Sequence, residues 1–121
     1  MKRDVRDDLD DMLTYALQAQ AFVGGFSAED FIADKRTCYA VTYSLHVIGE
    51  AAKKVPPETR ERYPHIPWMD IVGMRNRLVH DYLGTDPNII YQTVVRFLPE
   101  LSAALPQVIS DLDETGDRAA P

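Results

Sequence analysis

Residues 35–55, KRTCYAVTYSLHVIGEAAKKV, decide the fold of this 121-residue chain. Apolar side chains recur in this stretch at three- and four-residue spacing, as in a helix that buries one face. These residues are Cys38, Val41, Leu45, Ile48, Ala52 and Val55. Asp34 is a suitable N-cap, and Pro56 and Pro57 stop the helix. The stretch therefore predicts a long helix with one core-facing side.

The same helix carries a second stripe, which is polar and aromatic. It consists of Tyr39, Tyr43, His46 and Glu50, and we call it the aromatic stripe. Small residues beside it, Gly49 among them, keep the backbone thin, so a neighbouring helix can approach closely. The stripe is expected either to face a partner chain or to be half-exposed.

Helical signals continue on both sides of this segment. Periodic apolar residues and caps predict helices over 5–23, from Ser27 through Ala33, and from Pro67 to about His80, with a helical turn near residues 58–63. A last helical segment follows Pro87, and Pro99 and Pro106 should kink or divide it. Strand patterns are absent. We expect an all-α, up-and-down bundle of four to five main helices over residues 1–112, with a flexible acidic tail at 113–121.

Composition narrows the class of protein. The chain is 45% hydrophobic and 26% charged, as in ordinary globular domains, and lacks the apolar run of roughly 20 residues that a membrane span needs. An aspartate-rich N-terminus is unlike a signal peptide, and a single cysteine, Cys38, excludes an internal disulfide. These features favour a cytoplasmic protein, in which Cys38 packs as a small hydrophobe.

The charge distribution leaves two interpretations open. A net charge of −6 argues against an indiscriminate nucleic-acid binder. However, acidic residues concentrate at the two ends, and basic residues exceed acidic ones over 53–77. That segment is expected to be either a basic patch that guides a phosphate backbone or an ordinary mixed-charge surface.

Residues 75–82, RNRLVHDY, contain the chemically informative groups. Arg75 stays protonated at any working pH, whereas His80 exchanges a proton near neutrality. The pair suits a reaction in which a phosphate gathers charge while a hydroxyl is deprotonated, as in RNA cleavage. Because Arg75 falls on the apolar face of its predicted helix, it needs a neutralising partner: Glu50, a second subunit or a bound phosphate. Paired with Glu50, Arg75 could equally be a structural residue.

The spacing of Arg75 and His80 raises a geometric problem. Five positions correspond to roughly 140° around an ideal helix, so an unbroken helix does not direct both side chains at one atom. Either the helix ends or tightens near Val79, or the two groups meet across a two-fold axis, and we expect both effects together. The alternatives are that His80 only interacts with the helix dipole and that Tyr82 packs in the core. His46 and His65 lack the neighbours of a metal ligand, so no metal site is predicted.

The Arg-x4-His-x-Tyr arrangement of Arg75, His80 and Tyr82 resembles the motif of HepT-like toxins, within the HEPN superfamily of helical ribonucleases. The resemblance extends over nearly the whole domain. It includes residues 48–52 (IGEAA), 66–68 (IPW), 71–76 (IVGMRN) and 98–101 (LPEL).

The resemblance implies a metal-independent endoribonuclease that needs no cofactor and acts as a homodimer with a shared cleft. His80 would be the general base toward a ribose 2′-hydroxyl or the acid toward the leaving oxygen, and Arg75 would hold the scissile phosphate. Asn76 would orient the site or contact phosphate, and Glu50 would support it. The expected products carry 2′,3′-cyclic phosphate and 5′-hydroxyl ends.

The resemblance also implies a protein partner. HepT-like toxins are typically neutralised by a minimal nucleotidyltransferase, MNT, which transfers AMP from ATP to the motif tyrosine, here Tyr82. The alternative is a non-catalytic helical module that serves such a nucleotidyltransferase. A metal-dependent nuclease is disfavoured because no carboxylate cluster accompanies the basic motif.

Overall fold

A computed structural model describes residues 4–81 and 85–115, with only the backbone of residues 80, 81 and 115. Within these ranges the chain is an all-α bundle, as predicted. The helices are α1 (Val5–Val23), α2 (Ala28–Ala33), α3 (Lys35–Lys54), α4 (Pro57–Arg62), α5 (Trp68–Asp81), α6 (Pro87–Gln92) and α7 (Leu98–Thr115), with a π-helical segment, Thr93–Phe97, between the last two.

Side-chain caps explain where the first helices begin. Asp4 and the N3 residue of α1 form a reciprocal capping box. Ser27 accepts a hydrogen bond from the amide of Asp30, and Asp34 accepts one from the amide of Thr37. The predicted N-caps of α2 and α3 are therefore confirmed.

Arg60 caps the C-terminus of α3 from outside that helix. Its guanidinium donates to the carbonyls of Val55, Ala52 and Lys53 at 2.9, 3.2 and 2.9 Å. These carbonyls lie where a helix end lacks its own donors and has a negative dipole end. Arg60 thereby fixes the short helix α4 against α3.

Helix α3 organises the packing of the bundle. Helix α3 packs against α1 on one side and α5 on another, and α1 in turn packs against α7. Leu9 and Met12 of α1, Leu45 and Ile48 of α3, and Leu105 of α7 are at most 1% exposed. The core therefore lies among α1, α3 and α7, and α5 is a more peripheral helix.

The two prolines of the last segment do not divide it. The amide of Leu98 bonds to the carbonyl of Thr93, five residues back, which widens the turn immediately before Pro99. A proline lacks an amide hydrogen and its ring crowds the carbonyl four residues back, so the wide turn accommodates Pro99 without a break. Pro106 lies inside α7.

Helix α7 continues to Thr115, so residues 113–115 of the predicted tail are helical, and residues 116–121 lie outside the described ranges.

None of the helices described is both long and apolar enough to cross a membrane.

Candidate active site around Arg75

Gly49 on α3 lies directly against Arg75 on α5. A β-carbon added at Gly49 would lie 2.1 Å from Cβ of Arg75 and 2.9 Å from its Cγ. Because the obstructing atoms sit next to the backbone of α5, only glycine allows this separation of the two helices. The expectation that a thin stretch of α3 admits a neighbouring helix is confirmed, and the neighbour is the helix with the motif.

The Arg75 guanidinium is held by two side chains. Its Nη2 forms an ion pair with Oε1 of Glu50 on α3, and its Nη1 donates to Oδ1 of Asn76 at 2.9 Å. Side-chain exposure is 22% for Arg75 and 32% for Glu50. Of the three partners considered for Arg75, Glu50 is therefore available within a single chain.

The two contacts leave part of the guanidinium free. Arginine has five N–H donors, of which one donates to Asn76 and one is occupied by the ion pair with Glu50, whose Oε1 accepts no hydrogen bond of normal geometry among the described residues. The Nε group is buried and has no hydrogen-bond partner among the described residues. Two N–H groups on the terminal nitrogens remain, which is the number that a bidentate phosphate contact uses.

Helix α5 is continuous past the motif histidine. It runs without interruption from Trp68 to Asp81, two residues beyond Val79, so His80 still lies on the helix. Positions 75 and 80 consequently lie roughly 140° apart around one helix axis. The side chain of His80 and the whole of Tyr82 lie outside what the structure describes.

Three large side chains of α3 and α5 are exposed. Tyr39 and Tyr43 of the aromatic stripe are 61% and 60% exposed, and Val79 is 39% exposed. Val79 is exposed because α5 packs chiefly on α3, which leaves the C-terminal half of α5 partly uncovered. Tyr43 also makes an edge contact with Tyr15 of α1, with ring centroids 6.1 Å apart.

A cavity of about 500 Å³ near the end of α5 was not foreseen from the sequence. Its walls come from α2, α3, α5 and the start of α6, and include Ile32, Tyr39, Leu78 and Thr85. The walls are mainly apolar, unlike a phosphate site. Because the residues meet only through tertiary packing, no spacing along the chain could have indicated the cavity.

Cys38 has the surroundings of an unreactive thiol. Its Sγ donates to the carbonyl of Phe31 at 3.0 Å. Burial, with a smaller contribution from Asp34, raises the pKa of Cys38, so the neutral thiol dominates at physiological pH. In the described part of the chain, no three His, Cys, Asp or Glu side chains are grouped so as to hold a metal ion.

Most of the chain is similar to one family of known proteins. The family model for HepT-like ribonucleases matches residues 12–108, which include Glu50, Arg75 and His80. "Putative RNase MJ0125" from Methanocaldococcus jannaschii is 41% identical to this chain, and the alignment covers 93% of this chain and 97% of the relative. "Putative RNase MJ1216" from the same organism is 39% identical, and the alignment covers 93% of both chains. "Probable ribonuclease HepT" of Thermococcus cleftensis is 37% identical over 84% of this chain and 92% of its own length. No solved structure is significantly similar to the chain. The chain belongs to the family of HepT-like ribonucleases.

Proposed function

We propose that the protein is a metal-independent endoribonuclease and the toxin of a type VII-like toxin–antitoxin pair. The observation that carries this proposal is the half-buried Arg75, fixed by Glu50 and Asn76 inside the segment that matches HepT-like ribonucleases. A permanently charged group held in place is what a phosphoryl-transfer site needs, because most of the stabilisation there is electrostatic.

In the proposed reaction a ribose 2′-oxygen attacks the adjacent phosphorus while the bond to the 5′-oxygen breaks. His80 takes the proton from the 2′-hydroxyl or gives one to the leaving 5′-oxygen, and Arg75 offsets the charge that builds on the phosphoryl oxygens. The products are a 2′,3′-cyclic phosphate and a 5′-hydroxyl. DNA lacks the attacking hydroxyl and is left intact.

The proposed active unit is a homodimer. Continuous α5 separates positions 75 and 80 around its axis, so Arg75 of one protomer works with His80 of its partner in a shared cleft. The exposed side chains of Tyr39 and Tyr43 on α3 and of Val79 on α5 supply apolar surface that a second copy can cover.

The proposed antitoxin is an MNT-type nucleotidyltransferase that transfers AMP from ATP to Tyr82. Tyr82 follows His80 by two residues. A phosphodiester and nucleoside added there would compete with RNA for Arg75, because phosphate oxygens pair readily with arginine.

The experiment that tests the activity compares cleavage of RNA and single-stranded DNA by the purified protein in EDTA. His80→Ala should lower the RNA cleavage rate by about 10²-fold or more, the usual contribution of proton transfer. Arg75→Ala should lower it by about 10²–10³-fold, as for the loss of one donor to a developing oxyanion.

Arg96→Ala is the control, since it removes an exposed arginine from the π-helical segment, outside the basic stretch of residues 53–77. This variant should cleave like the unmodified protein. Thermal unfolding would verify that all three variants fold. Cleavage by His80→Ala at the unmodified rate would refute the catalytic assignment, and activity lost in EDTA would refute metal independence.

One observation favours a second candidate, a non-catalytic module that serves a nucleotidyltransferase. The Arg75 charge is already compensated by Glu50 within one chain, as expected for a structural arginine. Expression of the chain alone in bacteria discriminates between the two functions. Arrested growth with degraded RNA indicates the nuclease, and normal growth with intact RNA indicates the module.

A further inference from the structure

We propose that Glu50 is a positioning residue that shares Arg75 with the RNA phosphate, so that it fixes the guanidinium for the reaction while weakening binding of the RNA ground state. This inference rests on the proposed ribonuclease function. It concerns the energetics of the same site, namely how the affinity for RNA is limited and what keeps Arg75 in place.

Glu50 and Arg75 lie on two helices that are in direct contact. Glu50 is on α3 and Arg75 is on α5, and the contact between Gly49 and Arg75 places the base of the arginine side chain directly against α3. The carboxylate that immediately follows this glycine then reaches Nη2. Both ends of the arginine side chain are therefore set by α3, and Asn76 holds the other terminal nitrogen.

The Glu50 carboxylate and a bound phosphodiester would both be negatively charged and would lie beside the same guanidinium. A phosphodiester that binds the two remaining terminal N–H groups of Arg75 comes within a few ångströms of the Glu50 carboxylate, which occupies the same guanidinium. Two anions then share one cation, and their mutual repulsion offsets part of the attraction between Arg75 and phosphate. Exposures of 22% and 32% mean that water screens this repulsion only in part.

The position of the Arg75 cation affects RNA binding and catalysis differently. As bond formation to phosphorus proceeds, charge on the phosphoryl oxygens increases, so a fixed cation contributes more in the transition state than in the bound ground state. A guanidinium without Glu50 would bind phosphate from several rotamers. Misplacement by about 1 Å can cost on the order of 10²-fold in rate.

Two substitutions separate the charge of Glu50 from its role as a tether. Glu50→Gln keeps an oxygen beside Nη2 of Arg75 but removes the negative charge. Its KM for RNA should fall on the order of two- to fivefold, the scale of a partly screened charge pair, with kcat within about twofold of the unmodified enzyme. Glu50→Ala removes the tether as well and should lower kcat by about tenfold or more.

Binding is measured without turnover in the His80→Ala background, by fluorescence anisotropy of a labelled single-stranded RNA oligonucleotide that the unmodified enzyme cuts. Adding Glu50→Gln should lower the Kd by the same two- to fivefold. It should also steepen the dependence of log Kd on log salt concentration by up to about 0.7, the contribution of one phosphate contact to a single strand. Glu100→Gln on α7 is the control, because it removes one exposed carboxylate from a helix that packs against α1.

The outcomes distinguish this inference from the function on which it rests. A lower KM and Kd for Glu50→Gln, with no change for Glu100→Gln, supports the inference. RNA cleavage by the unmodified enzyme with an unchanged or higher KM and Kd for Glu50→Gln overturns the role of Glu50 and leaves the nuclease intact. An unmodified protein that neither binds nor cleaves RNA overturns both.

Discussion

At the scale of single residues, the site depends on a glycine, a carboxylate and an arginine that meet between two helices. Gly49 permits the approach, Glu50 compensates the charge, and Arg75 is left half-buried with terminal N–H groups to spare. A buried charge is costly unless it is paired, and here the pairing partner is next in sequence to the residue that makes room. Gly49 and Glu50, which are adjacent on α3, thus determine where the Arg75 side chain lies and how much free energy its partial burial costs.

Gly49→Ala tests this close approach. An added methyl group would overlap Cβ of Arg75, so α3 and α5 must separate. Overpacking typically costs about 1–3 kcal/mol, and the better helix propensity of alanine returns up to about 1 kcal/mol. We expect a net loss of about 1–2 kcal/mol in the free energy of unfolding, measured by urea denaturation.

The matched substitution is Gly73→Ala in α5, because a β-carbon there meets no atom within 4 Å. This variant should be stabilised by about 0.5–1 kcal/mol, the usual gain for alanine over glycine inside a helix. Equal effects of the two substitutions would show that the approach of α3 to Arg75 does not constrain the fold.

At the scale of elements, sequence periodicity and caps were sufficient to locate the helices. The predicted starts of α2 and α3 are confirmed because Ser27 and Asp34 act through local hydrogen bonds that depend only on neighbouring residues. The predicted extent of α5, from Pro67 to about His80, agrees with the observed Trp68–Asp81, and no glycine or proline stands near Val79 to break the helix. The π turn before Pro99 was not predicted, because the residue types alone do not specify how the helix accommodates the proline ring.

The hydroxyl of Tyr63 ties the connection between α4 and α5 to α7. It donates to Oδ2 of Asp111 at 2.6 Å. Burial, together with this hydrogen bond, raises the pKa of Tyr63 to about 12. The hydrogen bond from Tyr63, followed by one from Gln107, lowers the pKa of Asp111. The contact should therefore weaken at both extremes of pH.

Tyr63→Phe provides the test. The raised pKa of Tyr63 gives stability that is complete below about pH 10 and is lost as the pH rises toward 12. The lowered pKa of Asp111 gives stability that is present above about pH 4 and is lost as the pH falls through its folded-state value. The difference in urea midpoint between the unmodified protein and Tyr63→Phe should be constant from about pH 5 to 9 and shrink outside that window. A difference that does not vary with pH would contradict this role for the hydrogen bond.

At the scale of the whole molecule, the sequence sufficed for the fold class and the family but not for the complete site. Residues 12–108 match HepT-like ribonucleases, and the bundle has the predicted helical composition. Pairing of Arg75 with Glu50 was one of three possibilities, and tertiary packing at Gly49 was needed to choose it. Under the proposed function, Arg75 of one copy acts with His80 of a second copy, and contacts between copies leave no regular spacing in one sequence.

The most direct test of the central proposal, a ribonuclease site shared between two copies, is a mixing experiment. Arg75→Ala and His80→Ala proteins with different affinity tags are unfolded together, refolded and assayed for RNA cleavage, and hybrids are recovered through both tags. If Arg75 of one copy works with His80 of the other, each hybrid has one intact site, and a random mixture should regain about a quarter of the unmodified activity. Purified hybrids as inactive as either variant alone would contradict the account.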